Sequence, residues 1–196
     1  MILSCSIGAW GWQHVGWGKD VFYPDDLPED WQLSYYANEF DMVVVPANYW
    51  LQQGDAESDW LDDVEDDFVF YIDWPFQQLT SLQDYELCAE GCRQLGEQLE
   101  AVLVNKHDWQ QLNNEQQEWF KAVTTGFDVQ QYDESSSIVH KLLLLRSDAS
   151  ESLRELGERL KELLQTSGIE HIVLINEDAE ISRLKELKTL VELLGF

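Results

Sequence analysis

Short runs of apolar and β-branched residues recur along the chain at positions 3–9, 42–45, 68–72, 101–104, 129–132, 138–145 and 171–175. Several lack the alternation of a half-exposed strand, which predicts seven strands covered on both faces, as in a parallel sheet. Between them the spacing turns helical, over 31–39, 82–99 and 115–123. Further on, Ser147 or Asp148 is a candidate cap for a helix in which Leu153, Leu156, Leu160, Leu163 and Leu164 form one stripe. Glu155 and Arg159 stand outside that stripe at a pairing distance of four, and Gly168 suits the stop. A strand at 171–175, a turn and cap at Asn176-Glu177-Asp178, and a closing helix burying Ile181, Leu184, Leu187, Val191 and Leu194 complete a strand-turn-helix unit. Strands alternating with helices call for an α/β fold with crossover connections.

The length of 196 residues, the lack of internal repeats or linkers, and the dispersal of Pro24, Pro28, Pro46 and Pro75 favour a single domain over 1–196. Charge changes the picture more. The formal net charge is −26, and residues 1–92 contain one Lys or Arg, Lys19. Neutralising phosphates needs cations, so nucleic acid and anionic membrane surfaces are disfavoured as partners. A basic protein remains compatible, although an acidic surface kept for solubility is the simpler reading. The run 55–67 carries eight carboxylates and no cation, and is read as a solvated segment rather than a Ca²⁺ loop, which would need an ordered ligand pattern around a central Gly. No apolar run reaches the roughly 18 residues of a membrane span, and no export signal opens the chain. Cys5, Cys88 and Cys92 are an odd set that fits reduced thiols, and the expected compartment is the cytoplasm. The oligomeric state is left open by these features.

The N-terminal quarter carries a more specific pattern. A strand ending Ile7-Gly8-Ala9-Trp10-Gly11-Trp12 is followed by Val21-Phe22-Tyr23-Pro24, Leu27-Pro28, Trp31 and Tyr35-Tyr36-Ala37-Asn38-Glu39-Phe40-Asp41. This resembles the YecE-like family, also called domain of unknown function 72, most specifically over residues 7–50. The resemblance implies a TIM-type β/α barrel, here shortened and therefore incomplete or distorted, with functional residues at the C-terminal ends of the strands. Those ends would be Trp10 and Trp12, Asn48 and Tyr49, Asp73 and Trp74, Asn105, His107 and Asp108, and Asn176 to Asp178. The chain also departs from the family. Val44 and Pro46 stand where relatives have a Glu and an Asn, Asn105-Lys106-His107-Asp108 replaces a Gln-Leu-Pro-Pro element, and residues 130–132 replace a Glu-x-Arg. The resemblance therefore implies a kept scaffold with impaired catalysis.

Among the candidates, Asp73, His107 and Asp108 are the nearest to an acid/base set, because a His beside carboxylates titrates near neutrality. A solvated loop, with His107 and Asp108 merely ending a strand, is the preferred reading of this pair. Cys88 and Cys92 share a helix face, but a zinc site needs two further ligands, so core packing is preferred and no metal is expected. Walker, dinucleotide-binding and nucleophile-elbow motifs are absent from the sequence, and no cofactor is expected. Trp10, Trp12, Trp17, Trp50, Trp74 and Trp109 offer stacking faces for a sugar or planar ligand, or simply core. Trp10 and Trp12 share a side if the strand stays extended. Two functions follow as expectations: a small polar ligand bound at the strand ends, or an acidic module that binds a basic protein.

Overall fold

The computed structural model describes residues 5–50, 57–146, 151–166, 168–175 and 180–196. Among the described residues, eight strands run in the order β5-β4-β3-β2-β1-β8-β7-β6. They are β1 (Ser6–Trp10), β2 (Met42–Val45), β3 (Val69–Asp73), β4 (Leu99–Asn105), β5 (Val129–Tyr132), β6 (Ile138–Val139), β7 (Leu142–Leu145) and β8 (His171–Leu174). This is the cyclic order of a β/α barrel interrupted between β5 and β6, so the fold is α/β and of incomplete TIM type, as the resemblance implied. The helices are α1 (Gln32–Ala37), α2 (Ala47–Trp50), α3 (Glu57–Asp62), α4 (Leu82–Gln94), α5 (Lys106–Gln111), α6 (Asn114–Val123), α7 (Leu153–Thr166) and α8 (Ile181–Leu194). Among the described residues, no helix is long and apolar enough to cross a membrane. The chain divides into two compact units, Met1–Val43 with Ser137–Phe196, and Val44–Ser136.

In the first unit, β1 and β7 flank β8, both parallel to it, with Gly8 opposite Val173 and Leu144 opposite Val173. All four residues of β7 and of β8 are buried, which is why their sequences read as apolar runs, broken only by the buried His171 that opens β8. The run 138–145, expected as one strand, is instead a hairpin: Ile138 and Val139 pair antiparallel with Leu143 and Leu142. The polar pair His140-Lys141 makes the reversal, with His140 at φ 55, and the Lys141 carbonyl accepts from the amides of Glu170 and His171. Among the described residues the seven expected strands thus become eight, and β5 is followed directly by the β6–β7 hairpin where a full unit would have a crossover helix.

The α7 stripe is buried at Leu156, Leu160 and Leu164, while Leu153 at its start is exposed. Its first turn is closed by Ser152, which exchanges hydrogen bonds with Glu155, whose carboxylate is thereby held below its usual range. Glu155 is therefore not the partner of Arg159, which reaches Glu151 at 2.7 Å. The caps expected at Ser147 or Asp148 and at Asn176 to Asp178 lie outside the described residues. The closing helix buries Ile181, Leu184, Leu187 and Val191, and leaves Leu194 half-buried.

The motif residues of the N-terminal quarter build an aromatic knot. Trp17 stacks on Tyr36 at 6.1 Å, and Phe22 meets Trp17, Tyr23 and Tyr35. At its centre the Tyr36 hydroxyl accepts from the Ala9 amide and donates to the Met42 carbonyl, both at 2.8 Å. Gly8 makes this closeness possible, because a Cβ there would lie 1.9 Å from the Met42 carbonyl oxygen.

In the second unit β4 is the central strand, parallel to β3 and to β5. Helix α4 begins at a capping box made by Ser81 and Asp84, and α6 at one made by Asn113 and Gln116. Cys88 and Cys92 are buried on α4, as core residues. The acidic stretch before β3 holds α3, whose Trp60 is buried and stacks near Phe70 at 6.1 Å, so this stretch is anchored rather than wholly solvated.

Candidate functional site

Parallel pairing puts the C-terminal residues of neighbouring strands at one level. In the second unit the register sets Asp73 opposite Leu103 and Asn105 opposite Tyr132, so the ends of β3, β4 and β5 converge. The Tyr132 hydroxyl donates to the Asp73 carboxylate at 2.8 Å, and the Asn105 side chain hydrogen-bonds the same hydroxyl. The backbone amide of Ala47, which opens α2, also donates to Asp73. Burial pushes the Asp73 carboxyl up to about 7, against the pull of the Tyr132 and Ala47 hydrogen bonds, and the negative charge of Asp108 adds a smaller upward push. Tyr132 is also raised, first by burial and then by the adjoining carboxylate.

Asn105 has a second task. Its side-chain oxygen accepts from the His107 amide at 2.8 Å and caps α5, which explains why Asn105-Lys106-His107-Asp108 turns into a helix and does not extend the strand. Lys106 on that helix is committed elsewhere, holding Asp133 at 2.6 Å and keeping that carboxylate far below its normal range. The group at the centre of the cluster is thus a carboxyl that two donors hold and that burial keeps near neutrality. Such a carboxyl can accept a hydrogen bond when ionised and donate one when protonated.

Of the residues expected at strand ends, Asp73, Asn105 and Asp108 contribute to one cluster. His107 is exposed and hydrogen-bonds Gln111 at 2.6 Å, so the expected Asp73, His107 and Asp108 set loses its histidine. Asp108 accepts from Gln77 at 3.0 Å. Asn48 is exposed on α2 and Tyr49 half-buried beside it. Trp74 is 1% exposed, packed edge-on against Phe120 at 5.1 Å, and offers no face to a ligand. In the first unit Trp12 and Trp17 are likewise buried, whereas Trp10 is half-buried. Gly11, at φ +87, breaks the extended backbone between Trp10 and Trp12, so the strand geometry that would have set them on one side ends at Trp10. Asn176 and Asp178 lie outside the described residues, as does the side chain of Trp50.

A family model described as "Protein of unknown function DUF72" matches residues 6–130. The chain belongs to the DUF72 family. No curated protein matches it. The matched region ends two residues short of Tyr132, the residue of the cluster that sequence reading missed.

Tyr132 closes a weak strand, at the end of the stretch that the resemblance sets in place of a Glu-x-Arg, and is bonded to a residue 59 positions away, so its partner emerges only from the register of β3, β4 and β5. The DUF72 chain has a further concavity in its first unit, a cleft of about 750 Å³ whose lining includes Gln13, His14, Ser182 and Lys185. There the His14 ring is hydrogen-bonded to the Gly11 carbonyl at 3.2 Å and leans on Trp17, and Lys185 lies 5.3 Å over the Phe22 ring. Both polar groups serve the aromatic knot, and the Asp73 cluster is the stronger candidate site.

Proposed function

We propose that this DUF72 chain is a cytoplasmic protein that binds a small polar ligand at the C-terminal ends of β3, β4 and β5, without catalysing a reaction on it. The supporting observation is the Asp73 carboxyl, raised to about 7 by burial and held by Tyr132 rather than by a cation. A ligand that presents an amine or hydroxyl donor supplies what this group lacks. Its docking favours the ionised carboxylate, lowers the Asp73 midpoint and releases a proton when binding takes place below pH 7. Binding is favoured over catalysis because the resemblance puts a Glu and an Asn of the family where this chain has Val44 and Pro46, and because His107 bonds Gln111 instead of the acid. A cytoplasmic setting fits Cys5, Cys88 and Cys92, all buried and none in a disulfide among the described residues.

Thermal-shift and NMR titrations with primary amines, sugars and phosphates, run on the wild type and on Asp73→Asn, test this reading. Stabilisation of the wild type by a donor-bearing class, weakened about tenfold or more in Asp73→Asn, is expected from the loss of a charge-assisted contact. Failure of every class to bind, or binding indifferent to Asp73→Asn, contradicts it.

A further inference from the structure

Separately from the ligand site, α4 and α6 leave an open groove of about 710 Å³ on the outside of the second unit. Its lining includes Leu87, Ala122 and Val123, with Glu86 and Glu90 on the α4 side. Gln83, Glu86, Leu87 and Glu90 recur at helical spacing and so form one exposed face of α4. Leu87 is 63% exposed and Leu82, at the same groove, 40% exposed, so both leucines of α4 turn outward while Tyr85, Cys88 and Cys92 of the same helix are buried. The one cation of the lining, Arg93, is spent internally: it bridges Glu90 at 3.0 Å, donates to the Val123 carbonyl at 3.1 Å and covers the Phe127 ring.

We propose that this groove docks a basic amphipathic helix of a partner protein. Charge complementarity selects the occupant. Residues 1–92 contain one Lys or Arg, the lining's Arg93 is paired within the groove, and the whole chain carries −26, so a second copy of this chain would bring like charge to the groove. A helix with leucines on one stripe and lysines beside it sets apolar side chains on Leu87 and Ala122 and a cation against Glu86, with Glu90 already bridged by Arg93. Helix α4 has 13 residues and offers a seat about 20 Å long, the length of three to four turns.

A strongly acidic protein attracts any cationic peptide, so the test must separate docking from bulk attraction. The probe is a fluorescent leucine/lysine amphipathic helix of about four turns, titrated by anisotropy at about 0.15 M salt, where exposed charges more than about 8 Å apart are screened. The proposal predicts that Leu87→Glu, at an exposed position, weakens binding about tenfold although it adds a negative charge, and that Ala122→Glu on the facing helix does the same. Leu193→Glu on α8, where Leu193 is 79% exposed, leaves binding unchanged. Glu86→Gln combined with Glu90→Gln weakens it. Equal or tighter binding by Leu87→Glu, equal binding of a scrambled peptide of the same charge, or no binding by the wild type overturns the proposal. So does self-association of the wild type that Leu87→Glu abolishes, which would give the groove to a second copy.

Discussion

Two buried tyrosine hydroxyls, one in each unit, have opposite uses. Tyr36 joins the Ala9 amide to the Met42 carbonyl, and each of those backbone groups finds its match. Tyr132 donates to Asp73, a group that can change its charge. Both hydroxyls are pushed up by burial, so burial does not distinguish them. The partner does: a hydroxyl between two backbone groups fastens strands, and a hydroxyl on a carboxyl near neutrality leaves a titratable site. The family motif residues around Tyr36 are scaffold by this criterion, and the candidate chemistry lies with residues outside the best-matched quarter.

The comparison can be broken most forcefully at Gly8. Alanine there drives a Cβ into the Met42 carbonyl and against the Tyr36 hydroxyl, with backbone on one side of the clash. A loss of more than about 3 kcal/mol is expected, read by urea denaturation. A stable Gly8→Ala protein would show that the knot is loose.

Asp73→Asn sharpens the other half. An unfolded aspartate ionises near pH 4, whereas Asp73 in the folded chain does so at about 7. Its raised value therefore favours the folded state fully below about pH 4, and this contribution is lost as pH rises through 7. Asparagine does not titrate. Between pH 4 and pH 8 the variant should gain on the wild type by on the order of 3 kcal/mol, and parallel stability curves would contradict the assignment.

Tyr36→Phe leaves the Ala9 amide and the Met42 carbonyl without that hydroxyl in a buried setting, at a cost of about 2 kcal/mol that is constant across pH. Tyr132→Phe acts more gently. It removes a bond that favours the ionised carboxyl, so the Asp73 midpoint should move further up, by an amount equivalent to about 1 kcal/mol. A pH-dependent Tyr36→Phe, or a Tyr132→Phe protein in which Asp73 titrates lower, would reverse the roles assigned to the two hydroxyls.

Much of this architecture is legible in the chain because buried parallel strands need apolar runs, and β2, β7 and β8 supply them. Local interruptions were harder to read. His140-Lys141 folds one apolar run into a hairpin, and Gly11 uncouples two tryptophans that an extended strand would have aligned. Asn105 is the strand end it was expected to be, and an Asn ahead of Lys-His-Asp-Trp-Gln-Gln is also a helix cap, a second signal in the same residue. Tyr132 could not be found in the same way. Its significance comes from the strand register and from Asp73, far off in sequence, and no local pattern carries either.

The account turns on the charge state of one side chain, which NMR can follow directly. A titration of the Asp73 carboxyl carbon, assigned by its disappearance in Asp73→Asn, should give a midpoint at about 7. A midpoint near 4, the ordinary aspartate range, would mean that the carboxyl is solvated and fully ionised at neutral pH, and the proposed site would lose its basis.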